Sequence, residues 1–465
     1  MSFGNTKTRE LATARLGPLL FKYSWPALVA MSLNALYAVV DRFYIGRGCG
    51  EDAMAGLTLT FPVMLLLGAF GVFVGAGHSA VLSIRLGEGN RVACEKLLGQ
   101  LVAFKLLFFF VLPPVIFFNA DTVLGWCGGA NVTPGAFAAA KSYLRLVVFS
   151  HLFSHLAFGF SAMMRAEGNA VNSMVCMIVG FGSNMILDPL LIFGIDLPSL
   201  GLKITPMGID GAAWATNLAM FLSFAWAARY YLSGRSAVRF RFRRIGFHAG
   251  MIAKPVGIGL SPFLQQLMSA VINLSLAAAF GYWAADPASA TKQIASLGVF
   301  QSVLILIIMP ILGTQQGLQP IFGYNYGSGQ TDRVKKTLKL TLLIAECVLI
   351  TAFIIFQTMP MTVISIFGSE SDLYNAFAVM CMKRFLLLCC INGFQLVSGI
   401  FFQAIGKPIY SAVLSLSRQV IFLIPAMIIY PIFMGVEGIL WAGPTADLMA
   451  LILSTTLLIK NYRKL

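Results

Sequence analysis

The chain is short of charge, and shorter still of acids. Only 11% of its 465 residues are charged, and just 18 are Asp or Glu, whereas a soluble globular chain runs at about 25% charged. That deficit argues against an ordinary soluble enzyme. The eight cysteines form no C-x-x-C pair and have no histidine at zinc-ligand spacing, so neither a disulfide framework nor a metal site is expected. No Gly-Lys-Ser or Gly-Lys-Thr stands at Walker spacing; Gly87-Glu-Gly-Asn90 reads as a turn, and ATP-driven transport is disfavoured. Neither Gly-x-Ser-x-Gly nor His-Glu-x-x-His occurs, which sets aside an intramembrane enzyme.

What is abundant is apolar surface, at 58% of residues. A helical span needs roughly 20 apolar residues, and hydropathy marks twelve: 18–45, 54–82, 96–118, 136–164, 170–194, 208–232, 250–281, 291–318, 335–358, 375–403, 408–433 and 437–459. The expected fold is therefore an all-α polytopic membrane protein. Residues 1–17 are polar and basic with no cleavable leader, so the first span should direct insertion. With the N-terminus inside, twenty-three Lys and Arg fall on cytoplasmic connections and four (Arg42, Arg47, Lys203, Lys292) outside. That asymmetry predicts both termini in the cytoplasm, and the expected location is the plasma membrane. The densest basic cluster, Arg235 to Arg244, reads as a cytoplasmic linker, with anionic lipid contact as the sharper alternative and nucleic acid as neither.

An internal repeat organises these spans. Arg165-Ala-Glu-Gly-Asn169 matches Gln403-Ala-Ile-Gly-Lys407 at an offset of 238, and Gly208-Ile-Asp-Gly-Ala-Ala-Trp214 matches Gly435-Val-Glu-Gly-Ile-Leu-Trp441 at 227. Gly87-Glu-Gly89 matches Gly327-Ser-Gly329 at 240. Two six-span lobes are expected, residues 18–232 and 250–459, joined by the linker 233–249 and followed by a cytoplasmic tail, 460–465. Six is even, so the lobes are related by an axis along the membrane normal, the parallel-repeat plan of secondary transporters.

Acids inside a membrane are functional hypotheses by default. Asp188 lies within span five in Ser183-Asn-Met-Ile-Leu-Asp-Pro-Leu190, with Asn184 four residues before it on the same helix face. Pro189 disfavours helical geometry at Asp188, so a bend is expected there. Span one offers Tyr37 and Asp41, again four apart, with Asn34 a turn below and Pro26 as a second bend. Asp41 reads either as a helix-end acid paired with Arg42 or Arg47, or as the partner of Asp188 in one site. Span seven offers Gln265 and Gln266 but no acid, and only the first half looks built for a coupling ion. Glu346 and Asp447 have no evident partner. Lys141, Arg145, Lys383 and Arg384 sit near outer helix ends, where they are expected to snorkel. His151 and His155 read as packing or cavity-lining residues.

These residues carry a resemblance. Asp41-Arg-Phe-Tyr-Ile-Gly46, Gly87-Glu-Gly-Asn90, Arg165 to Asn169, Asn184 to Pro189 and Gly208 to Trp214, in this order and over nearly the whole chain, resemble the multidrug and toxic compound extrusion (MATE) transporters. The resemblance implies twelve helices in two lobes forming a V, and a secondary efflux transporter for small, cationic amphipathic compounds, working as a monomer among membrane lipids without a cofactor. It is similar to the DinF-type branch, which implies an ion-coupling site at Asp41, Tyr37, Asn184, Asp188 and Thr216. Asn34, His155, Gln265, Gln266 and Gln301 are candidate cavity residues. Proton coupling is expected over sodium because the site has few fixed oxygens. The alternative is a flippase of related fold, which needs a cavity rich in Arg and Lys; the in-membrane basic residues here look few and outer.

Overall fold

The computed structural model describes residues 6–197, 202–283, 308–309, 311–367 and 372–463. A short helix, α1 (Thr6–Thr13), precedes α2 (Leu16–Gly87), whose 72 residues would run about 108 Å if straight. A bilayer's hydrocarbon core is about 30 Å thick, so one rod is impossible. The helical backbone breaks at Gly50, with φ 79° and ψ −173°, a conformation that only glycine adopts cheaply. The break falls between the first and second expected spans.

Next come α3 (Arg91–Phe118), α4 (Ala120–Trp126), α5 (Pro134–Val147), α6 (Ser150–Ala166) and α7 (Ala170–Ile192). A hairpin of β1 (Ile195–Leu197) and β2 (Leu202–Ile204), antiparallel with Ile195 opposite Ile204, leads into α8 (Gly208–Leu232). The second half holds α9 (Ala249–Trp283), α10 (residues 311–327), α11 (Thr331–Thr358), α12 (Pro360–Phe367), α13 (Asp372–Met380), α14 (Asn392–Ala404), α15 (Pro408–Leu416), α16 (Ile424–Met434) and α17 (Val436–Tyr462). Among the described residues, seven helices are long and apolar enough to cross a membrane, or nine with each of two bent pairs taken as one span. One of the seven, α2, holds two spans. The chain is thus an all-helical membrane protein of two lobes; most of span eight lies outside the described residues.

Spans four and ten are bent, α5 against α6 by 51° and the pair ending in α14 by 42°. A broken helix in hydrocarbon must have its freed backbone groups satisfied by protein. At the first bend Asn217 of α8 donates to the carbonyl of Leu146, 3.0 Å away. At the second, Gln357 of α11 donates to the carbonyl of Lys383 at 3.0 Å, and the carboxylate of Glu346 on the same helix lies against Gly393, where a β-carbon would come within 2.7 Å of Oε1. Glu346 thus sits at the N-terminus of α14, whose own N-cap residue Ile391 makes no side-chain cap, and a negative charge is favoured at that end of a helix.

The repeat is visible in the backbone. Gly89 and Gly329 have φ of 75° and 73°, Gly168 and Gly406 91° and 75°, and Gly208 and Gly435 56° and 58°. Each pair is one that the sequence offsets aligned. The two halves meet along a seam of close backbone contacts. A β-carbon on Gly87 would stand 2.1 Å from the carbonyl oxygen of Tyr324, and one on Gly327 would stand 2.1 Å from that of Ile84. Gly87 with Ile84 and Gly327 with Tyr324 are repeat equivalents, so the contact is reciprocal about the pseudo-two-fold axis.

The N-terminal helix also crosses to the second half. Arg333 of α11 directs Nε to the carbonyl of Leu11 (3.2 Å) and Nη2 to that of Ala14 (2.5 Å), capping the C-terminal end of α1. Leu11, Leu19 and Tyr23 are buried in a cluster with Phe322, Val334 and Phe401.

Gly87→Ala and Gly327→Ala should each lower stability by about 1–3 kcal/mol, the usual cost of overpacking, read as a lower melting temperature in detergent. Because the two sites share one contact, the double variant should lose less than the sum of the singles; strict additivity would mean the seam is not reciprocal.

Candidate ion-coupling site

Four helices of the first half converge on one polar cluster. The first part of α2 brings Tyr37 and Asp41, α5 brings Tyr143, α7 brings Asn184 and Asp188, and α8 brings Thr216. Asp188 and Asn184 are wholly buried, and Asp41, Thr216 and Tyr143 nearly so. The four-residue spacing within α7 works as the helix geometry requires: Asn184 Nδ2 donates to Asp188 Oδ1 at 3.2 Å. The same amide donates to Thr216 Oγ1 at 3.3 Å. Tyr37 and Tyr143 bring their hydroxyls to the same cluster, beside Thr216. Tyr37 stacks on Phe181 at 5.3 Å between ring centroids, which fixes the ring.

The carboxyl groups of Asp41 and Asp188 are neighbours within the cluster. Two ionised carboxylates side by side have no donor between them, so such a pair is a place where a proton or a cation can be held. Asp41 Oδ1, Asn184 Oδ1 and Asp188 Oδ2 are buried and have no hydrogen-bond partner among the described residues. Arg42 and Arg47, the helix-end partners that sequence offered for Asp41, instead lie over the rings of Phe61 (5.6 Å) and Phe43 (4.9 Å).

The other sequence candidates are dispersed. Pro26 and Pro189 lie inside continuous helices, so in this conformation each costs one backbone hydrogen bond without breaking its helix. His155 is enclosed, with Nε2 3.1 Å from the carbonyl of Leu67, and His151 packs on it edge to face at 5.2 Å. Asn34 is half-buried on α2, and Gln265 and Gln266 are half-buried on α9. The Gln266 amide faces α2 at Gly68. Gln301 lies outside the described residues.

Tyr143 is the member of the cluster that sequence reading missed. It stands between Lys141 and Arg145, which drew attention for their charge, although a tyrosine hydroxyl in a span needs a partner as much as they do. Those cations are engaged by neighbouring groups: Lys141 pairs with Asp121 at 2.7 Å, Arg145 lies over Phe117 at 5.5 Å, and Arg384 pairs with Glu437 at 2.5 Å.

The expectation that in-membrane basic residues are few and outer needs correction. Lys105, midway along α3, is fully buried and donates from Nζ to the carbonyl of Gly71 at 2.6 Å. Arg418, between α15 and α16, pairs with Asp447 of α17 through Nε and Nη2, both at 2.7 Å from Oδ1. Hydropathy averages hide single charges whose acceptors lie on other helices.

Two lobes of bent and discontinuous helices, with a polar cluster holding two buried carboxyls in the first, define a polytopic membrane protein built on a parallel repeat. The family model MatE matches residues 26–190 and 258–429, and the chain belongs to that family. It is 23% identical to the multidrug export protein MepA of Staphylococcus aureus over 432 residues, covering 91% of this chain and 89% of the relative. It is 21% identical to MepA of Staphylococcus haemolyticus over 427 residues, with the same coverage. Among solved structures, a MATE protein in its bent conformation superposes with a TM-score of 0.88 at 19% identity, over 99% of this chain and 98% of the other. An outward-facing multidrug resistance MATE transporter superposes at 0.87 and 20%, over the full length of both. The relatives are transporters, not enzymes.

Removing one partner of a buried ion pair leaves the other charge stranded. Arg418→Met should therefore cost about 3–5 kcal/mol, and adding Asp447→Leu should recover most of that loss in a thermal melt; a double variant as unstable as the single would show that the pair does not act as a unit.

Proposed function

We propose that the protein is an antiporter of the DinF-type branch that exports small organic compounds, probed best with cationic amphipathic ones, in exchange for protons, with Asp41 and Asp188 as the coupling site. The single observation that carries this reading is the pair of neighbouring buried carboxyls, set among Asn184, Thr216, Tyr37 and Tyr143 with acceptor oxygens that meet no donor. A site of this kind interacts differently with its two protonation states, and such a difference is what coupling requires. Protonation neutralises the pair and lets it close. Loss of the proton restores negative charge in a buried place and drives the helices apart, or draws in a cation. Alternating access follows if spans one and five shift about the rungs missing at Pro26 and Pro189.

The proposal extends to arrangement. The lobes are residues 18–232 and 250–459, joined by 233–249; both termini face the cytoplasm, the membrane is the plasma membrane, and the working unit is a monomer. Sodium is the second candidate ion. The export of drugs by the MepA relatives supports the substrate class. A flippase is less well supported, because Lys105 and Arg418 are each engaged by a protein acceptor rather than presented together.

The test is efflux of a fluorescent organic cation from proteoliposomes under an imposed proton or sodium gradient. Asp41→Asn and Asp188→Asn should each abolish proton-driven efflux while leaving the melting temperature within a few degrees of the parent. Full efflux in both variants would move the coupling site elsewhere, and sodium-driven efflux alone would replace the ion.

A further inference from the structure

We propose that the segment 235–247 is a strap fixed to the first lobe and that its outward face binds the headgroups of anionic phospholipids. This goes beyond the transport reading and does not depend on it. No Asp or Glu occurs between Asp210 and Asp286, yet this stretch contains Arg229, Arg235, Arg239, Arg241, Arg243 and Arg244. A loose linker would leave those charges in water. Here the backbone is pinned instead. The N–H of Val238 donates to Glu167 Oε2 at 3.1 Å, and Phe240 packs edge-on against Phe160 at 6.2 Å. The carbonyl of Arg244 lies so close to α3 that a β-carbon on Gly99 would come within 2.1 Å of it.

The charge does not balance within the protein. Buried Glu95 receives Arg241 at 3.1 Å, Arg244 at 3.4 Å and Arg91 at 3.5 Å, three cations on one carboxylate. Among the described residues Arg235, Arg239 and Arg243 form no ion pair, and all three are exposed. Arginines alternate with phenylalanines along Arg239-Phe240-Arg241-Phe242-Arg243, and Phe242 is 68% and Phe247 51% exposed. Surplus guanidinium beside bare aromatic rings, at the membrane end of a span, matches one surface: phosphate oxygens over acyl chains. Guanidinium pairs well with phosphate, and aromatic side chains settle at the headgroup boundary. Free phosphate would meet the arginines but gives the rings no partner.

Full-length protein in detergent would be offered phosphatidylglycerol or phosphatidylcholine, and the retained lipid read by native mass spectrometry. The parent should retain phosphatidylglycerol in preference to phosphatidylcholine. Arg239→Gln with Arg243→Gln, which leaves the Glu95 contacts alone, should weaken that retention about thirtyfold, the equivalent of about 1 kcal/mol per arginine. Phe242→Gln, with the charge intact, should weaken it severalfold. Lys336→Gln with Lys339→Gln, an equal loss of exposed charge on α11, should change it less than twofold. Equal loss in the two double variants, no preference between the lipids, or the same protection of the parent from inorganic phosphate alone would each overturn the proposal.

Discussion

Hydrocarbon offers no hydrogen bonds, so every polar group carried into the bilayer must find its partner in the protein, and this constraint explains most of the polar geometry in this chain. Lys105 finds the carbonyl of Gly71. Arg418 and Asp447 find each other, and the two bent spans have freed backbone carbonyls met by Asn217 and Gln357. Each partner lies on a different helix from the group it serves. The charged and amide side chains of the spans therefore act as cross-links, and the tertiary structure is specified at those points more sharply than apolar packing alone would specify it.

Against that background the cluster at Asp41 and Asp188 differs in kind. Its members are as buried as the cross-links, but their acceptor oxygens outnumber their donors. A neutral amide and three hydroxyls surround the two carboxyls, and none supplies a fixed positive charge. A guanidinium in their place would lock the site permanently in one charge state. The absence of a covalently attached cation within the cluster separates it from the Arg418–Asp447 pair, where two such charges cancel.

The twelve-span plan, the repeat and the core of this cluster were legible in the sequence for a common physical reason: they are periodic or local. Asn184 with Asp188, and Tyr37 with Asp41, are four apart on one helix face, so the pairing follows from helix geometry alone. The repeat offsets aligned glycines that turn out to share positive φ. Tyr143 was not legible because its partners sit on three other helices. Nor were Lys105, or the pairing of Arg418 with Asp447, since an average over some twenty residues absorbs one charge without trace. The linker was recognised by its arginines, but its attachment to Glu95 and Glu167 depends on contacts that reach back about seventy residues or more.

The first part of α2 ties the cluster to the seam between the lobes. Asp41 lies toward one end of that segment. Toward the other, Gly317 of α10 lies against the carbonyl of Tyr23, and Gly313 against Ala27 and Leu28. Eighteen residues of helix separate Tyr23 from Asp41, about 27 Å at the α-helical rise, and the described backbone between them is helical throughout. A stiff rod held tightly at one end transmits what happens at the other. Pro26 falls between the two points of contact with α10 and removes the hydrogen bond that would otherwise reach the carbonyl of Lys22. The ladder is therefore weakest where the rod meets the opposing lobe, and the tightly packed glycines there leave little room for local compression.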